Sequence, residues 1–135
     1  MSRTATPRGI RNNNPLNIRI GNTWFGETTS PVESEFEVFI GMKYGIRAGF
    51  CILRRYIRKY KRNTIAKIIA AWAPNNENNT KAYINTVCKL TGLHQDDPIR
   101  YEDKETMVKL VAAMCRVECG EDIKTSTIEG AYDIA

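Results

Sequence analysis

Beyond residue 42 the apolar side chains return every three or four positions. That spacing leaves most of the chain one option, amphipathic helices packed on a shared core. Ile46, Phe50, Leu53 and Ile57 make a first stripe that runs into the basic segment RRYIRKYKR at 54–62. Ile65, Ile68, Ile69 and Trp72 make a second, with Asn63 or Thr64 placed to cap it and Pro74 beyond its end. Tyr83, Ile84 and Val87 make a third, with Asn79 or Thr80 as cap and Gly92 as stop. A fourth helix is predicted over 104–119, capped by Asp103, with Leu110, Val111 and Met114 on its apolar stripe and Gly120 past its end. The tail 121–135 is weakly helical.

Upstream the period changes. Residues 1–17 lack periodicity and read as loop, with NNNP a strong turn signal. Between 18 and 39, NIRI alternates, GNTWFG turns and EFEVF alternates again, setting Phe36 and Val38 against Glu35 and Glu37. This predicts a small β-hairpin. The fold class is therefore mainly α (α+β), in a single domain over 1–135. A chain of this length, 42% apolar and 26% charged, can bury a core without staples.

Several function classes recede on composition. No run of about 18 apolar residues is present, so no transmembrane segment is predicted. The opening MSRTATPRGIRNNNP has no apolar stretch, so the expectation is synthesis in the cytosol without a signal peptide. Action outside would then need release or carriage by something else. The net charge of +5 favours anionic partners: nucleic acid, an anionic membrane face or a cell-wall polymer. The basic run is either one solvated helix face or the source of that attraction. Cys51, Cys88, Cys115 and Cys119 form no CxxC pair and His94 is the sole histidine, so no metal and no cofactor is expected. The cysteines read as reduced and mostly core.

One residue breaks the helical pattern. Glu118 falls four positions after Met114 on the apolar stripe of the fourth helix. Either the helix frays and Glu118 meets solvent, or the carboxyl is partly desolvated. Desolvation raises its pKa toward that of a general acid able to protonate a glycosidic oxygen. Glu27, Glu33, Glu35 and Glu37 in the hairpin are candidates for a second carboxylate, or simply a solvated acidic face. Glu77 is a further candidate, though it reads rather as an anchor for its loop or for the next helix. Asn13, Asn14 and Asn17 offer amides suited to N-acetyl sugars, though alone they indicate only a turn. Trp24, flanked by Gly and Asn, is the aromatic best placed for exposure.

The ordered series NPLNIRIGNTWFG, EFEVF, YGIRAGFCIL and WAPNNENNTKAYINTV resembles the glucosaminidase family of peptidoglycan hydrolases, in the lysozyme-like superfamily. Residues 14 to 19 match its Asn-rich turn, Trp24, Phe25 and Gly26 its W-x-G step, residues 36 to 39 its strand, and Trp72, Ala73, Tyr83 and Ile84 its late segment. The chain also resembles phage-associated proteins with an RGIRNNNPGNIR…WAPPxENxTxxYI signature, with Leu16 in place of the usual Gly. In the glucosaminidase family the catalytic Glu ends a helix before the Asn-rich turn, and here no such helix precedes Arg11. The same order of apolar helix, Glu, small residue and Gly occurs at 111–120. The resemblance therefore implies a circularly permuted lysozyme-like domain, its catalytic helix moved to the C-terminal end.

Carried over residue by residue, the resemblance makes Glu118 the general acid and Glu33, with Glu35 in reserve, the second carboxylate. Asn13, Asn14, Asn17, Trp24 and Tyr83 would line the sugar groove. The expected partner is the peptidoglycan glycan strand and the expected state a monomer. Its action would fall on the wall, after release as an endolysin or from a phage particle. If the hairpin acid is too far away, a single carboxylate still supports lytic transglycosylation. Two readings of other classes compete: a non-catalytic virion structural or wall-binding protein on the same fold, and a nucleic-acid-binding domain using residues 54 to 62. The last ranks low because it leaves the aromatic and Asn-rich motifs without a role.

Overall fold

A computed structural model describes residues 6–74 and 77–135, except the side chains of residues 77 and 78. The anchoring role read for Glu77 lies outside the described residues. In chain order the elements are α1 (Arg8–Arg11), β1 (Glu27–Thr28), β2 (Val38–Phe39), α2 (Met42–Arg58), α3 (Ile65–Trp72), α4 (Glu77–Thr91), α5 (Lys104–Cys119) and α6 (Thr125–Asp133). The fold is mainly helical, with one antiparallel pair of strands in the register Glu27 to Phe39 and Thr28 to Val38. Arg19 and Phe36 add an isolated bridge beside it. None of the described helices is long and apolar enough to cross a membrane.

The predicted stripes form the core. Ile46, Phe50 and Leu53 of α2, Ile65, Ile68 and Ile69 of α3, Val87 of α4 and Leu110, Val111 and Met114 of α5 are all fully buried. Each such side chain contributes roughly 1.5–3 kcal/mol when taken from water. Helix starts follow side-chain chemistry: the Thr64 hydroxyl accepts from the Lys67 N–H at 3.2 Å and the Asp103 carboxylate from the Thr106 N–H at 3.2 Å. α5 packs against α4 and α6, and α6 lies along α2. The tail is a full helix because Tyr132 stacks on Tyr101 (ring centroids 5.2 Å) and meets Phe50 edge-on. Its hydroxyl donates to the Tyr101 carbonyl.

Three expectations shift. Residues 8–11 coil into α1 within what reads as loop, and α1 packs on the end of α5. α4 begins at Glu77, ahead of the predicted caps, and the Thr80 hydroxyl instead donates to the Ala73 carbonyl at the end of α3. The phase of EFEVF is reversed. Glu37 and Phe39 are buried, while Phe36 and Val38 are only partly so. A register one residue off exchanges every side chain between faces, and here the Asn-rich turn decides it. Asn14 donates to the Glu37 carbonyl at 2.9 Å, and Phe39 N–H donates to the Asn12 carbonyl at 2.9 Å.

That turn is seated on α2. A Cβ added at Gly45 would lie 2.0 Å from the Asn13 carbonyl oxygen, so the two backbones meet at a distance only glycine permits. The turn is thereby held between α2 and the last turn of α5.

Candidate active site

Glu118 occupies that last turn. The helix does not fray: Gly120, at φ 75°, takes the left-handed cap, and its N–H donates to the Arg116 carbonyl at 3.0 Å. With the helix intact, the stripe Leu110, Val111, Met114 carries Glu118 inward. Asn17, itself left-handed at φ 52°, donates its amide to the Glu118 main-chain carbonyl at 2.9 Å and, more weakly, to Oε1 at 3.4 Å. The Trp72 indole N–H donates to Oε2 at 3.2 Å. Tyr83 lies beside them, 7% exposed, with its hydroxyl near the carboxyl but short of the alignment of a formed hydrogen bond.

These contacts oppose one another electrostatically. Burial pushes the Glu118 pKa up, while the groups around it, Tyr83 first and then Asn17 and Trp72, pull it down; burial wins. Burial, then the Glu118 charge, also push the Tyr83 phenol up, so it remains neutral. The result is a half-buried carboxyl, biased toward holding its proton and oriented by donors from two other segments.

Glu118 forms part of the wall of an open groove of about 460 Å³. Trp72 and Tyr56, in edge contact at 6.4 Å, line it together with Phe36, Arg19 and Asn22. Glu118 is the single acidic residue among the described residues lining it. Aromatic rings with a few convergent polar groups are the make-up of a ligand-binding cleft.

The other sequence-predicted residues fall elsewhere. The Glu33 side chain is 0% exposed, held by both guanidinium N–H groups of Arg8 at 2.8 Å and by Asn12 at 2.8 Å. The main-chain N–H groups of Glu35 and Phe36 donate to it as well. Arg8 first, then Asn12, hold its carboxyl well below the usual carboxylate range. It ties α1 to the hairpin and does not line the Glu118 groove. Glu35 is exposed and pairs with Arg19 at 3.5 Å, also outside that lining.

Asn14 is fully buried, its amide bridging the Ile18 and Glu37 carbonyls while its oxygen accepts from the Ile18 N–H. It cannot reach a ligand. Asn13 donates to the Phe39 carbonyl and lies outside the groove lining. Of the three asparagines only Asn17 lines the groove, Tyr83 stands behind Glu118, and Trp24 lines an adjoining one.

Sequence reasoning missed the roles of Trp72, Arg8 and Asn12. Trp72 sits on the apolar stripe of α3, where its ring gave no sign that its N–H serves Glu118. Glu37, one of the hairpin acids named as a candidate second carboxylate, is buried outside the groove lining, and its pKa is raised first by burial and then by the neighbouring Glu27 carboxylate. Among the described residues no group of three or more His, Cys, Asp or Glu is arranged to hold a metal ion.

No family model matches the sequence. Over 119 residues, 85% of this chain and 72% of the relative, it is 42% identical to Protein P5 of Pseudoalteromonas phage PM2. The chain belongs to the Protein P5 family. A family with a bacteriophage member accords with the phage-associated signature carried by residues 8 to 19 and 72 to 84.

Proposed function

We propose that this Protein P5 relative cleaves the β-1,4-linked glycan strand of peptidoglycan, with Glu118 as general acid on a permuted lysozyme-like domain. The carrying observation is a half-buried carboxyl on the wall of an aromatic groove, oriented by Asn17 and Trp72 and with its pKa raised by burial. The contact of α5 with α1 and with the Asn-rich turn supports the permutation, since it brings the far end of the chain against the segment that such a helix would precede.

Glu118 is the one carboxyl among the described residues lining the groove, which favours transglycosylation over hydrolysis. Glu118 gives its proton to the glycosidic oxygen as the C1–O bond breaks. The carboxylate left behind takes the proton of the same sugar's 6-hydroxyl as that oxygen bonds to C1. The products are an anhydro-sugar end and a free 4-hydroxyl, with the acid restored and no water consumed. Glu33, locked on Arg8, acts as a strut. Delivery follows release from the cell or carriage in a particle.

Zymography with Glu118→Gln and, as control, the exposed Glu129→Gln tests the reading. A clearing zone lost in the first and kept in the second is expected, and mass spectrometry of the fragments should show anhydro ends. Clearing retained by Glu118→Gln would refute it. That Glu118 is the one carboxyl among the described lining residues also favours a second reading, a non-catalytic wall-binding or virion structural protein. Pure, folded protein that binds walls without releasing fragments would establish it.

A further inference from the structure

Beside the Glu118 groove lies a second one, of about 820 Å³, lined largely by α2. The two share Asn22, Ile52 and Tyr56 in their walls, so they lie side by side, within reach of a branch on a chain bound at Glu118. Their chemistry differs. The second groove is lined by Arg54, Arg55, Arg58 and Lys59, and no acidic residue is among the described residues lining it.

Some of this charge is committed. Arg54 and Arg58 lie over the Tyr101 ring, and Arg58 pairs with Glu102. Arg55 and Lys59 are exposed, and neither takes part in an ion pair among the described residues. Both gather about the Tyr60 hydroxyl and draw its pKa down, the response of a phenol in a positive field. In the same wall the buried indole N–H of Trp24 meets no acceptor among the described residues.

The charge layout selects among anionic ligands. A polymer with a charge on every unit would set negative groups beside the half-buried Glu118 carboxyl. A strand with neutral sugars at Glu118 and acidic groups on side branches avoids that conflict. Guanidinium forks match carboxylates in two-point geometry. We propose that the second groove binds the carboxylate-bearing peptide branches of the glycan strand, directing cleavage to branched rather than bare strands. This rests on the reading of the Glu118 groove as a glycan site.

The test measures affinity of Glu118→Gln protein for two glycan oligomers of equal length, one carrying peptide branches and one of uncharged N-acetylglucosamine units alone. About tenfold tighter binding of the branched oligomer is expected, the scale of one well-formed charge-assisted contact. Arg55→Gln/Lys59→Gln, added in the same background, should erase the difference and leave the bare-oligomer affinity unchanged. Both positions are exposed, so the substitutions leave the core intact. Equal affinity for the two oligomers, or binding of neither, overturns the proposal. So does a short DNA duplex that binds more tightly than the branched oligomer and loses this in the double variant, which would assign the groove to nucleic acid. Cleavage by the unmutated protein is followed in parallel. Cleavage without preference for branches refutes the branch subsite alone, and failure to cleave either oligomer refutes the catalytic reading alone.

Discussion

Gly45→Ala is the substitution that most directly probes how the site is assembled. In an ordinary helix interior the change stabilises by about 1 kcal/mol. Here the new Cβ would stand 2.0 Å from the Asn13 carbonyl oxygen and 3.1 Å from Asn14 Cα. A carbon meets a carbonyl oxygen comfortably at about 3.3 Å, so the turn must retreat by roughly 1.3 Å. Overpacking costs about 1–3 kcal/mol, and the obstacle is backbone rather than a pliable side-chain end, which places the cost at the top of that range. Less the helical gain, the net loss is about 2 kcal/mol. With an unfolding entropy of about 2.1 cal/mol/K per residue, the melting temperature falls by roughly 7 °C.

The displaced turn also carries Asn17, a donor to Glu118. Cleavage measured where both proteins are folded should therefore fall as well, by about 10²-fold if the misplacement reaches the reacting groups. Gly130→Ala is the matched control. Its Cβ would meet only the end of Lys43, at 3.4 Å, so about 0.5–1 kcal/mol of stabilisation is expected. Calorimetry and turbidity clearing read both effects. A Gly45→Ala protein as stable as the unmutated one would refute the seating of the turn on α2, and with it the account of how Glu118 is oriented.

Three further outcomes follow from the charges. Glu118 has a raised pKa in the fold, so the folded state holds the proton after the unfolded chain has lost it, and stability falls as pH climbs from the ordinary carboxylate range through that raised pKa. Glu118→Gln should flatten this stretch of the curve in thermal melts, while an unchanged slope would place the carboxyl in solvent. Trp72→Phe removes a donor that favours the charged form. The basic limb of the cleavage profile should thus move to higher pH, and a limb that stays put would dissociate Trp72 from the acid. Glu33 behaves oppositely: its pKa is depressed, so its contribution is present above the ordinary carboxylate range and lost as pH falls below it. Arg8→Ala should weaken the fold at neutral pH and reduce its further loss on acidification, read by urea unfolding at pH 7 and in acid.

The helices were legible because burial imposes a period on the sequence, and a period is local information. Ile46, Phe50 and Leu53, or Ile65, Ile68 and Ile69, announce their inner faces without reference to anything distant. Caps were legible on the same terms at Thr64 and Asp103. The phase of EFEVF was not: alternation shows that one face is buried but not which. The choice fell to Asn14, whose buried amide binds the Glu37 carbonyl across 23 positions of sequence. Glu33 illustrates the converse. As a hairpin acid it looked available for chemistry, yet Arg8 and Asn12 from another segment enclose it.

The sequence by itself determined the helical architecture and marked Glu118 as a carboxyl on an apolar stripe. It could not weigh whether that stripe stays intact or what meets it. Tertiary structure decided both, by carrying Asn17 across 101 positions and Trp72 across 46 to the same carboxyl. It also placed the basic run of α2 on the wall of an adjoining groove rather than on an undifferentiated surface. The physical reason is range. Periodicity and capping act within a few residues, whereas burial and charge depend on which distant segments arrive, and that is settled only when the whole chain is packed.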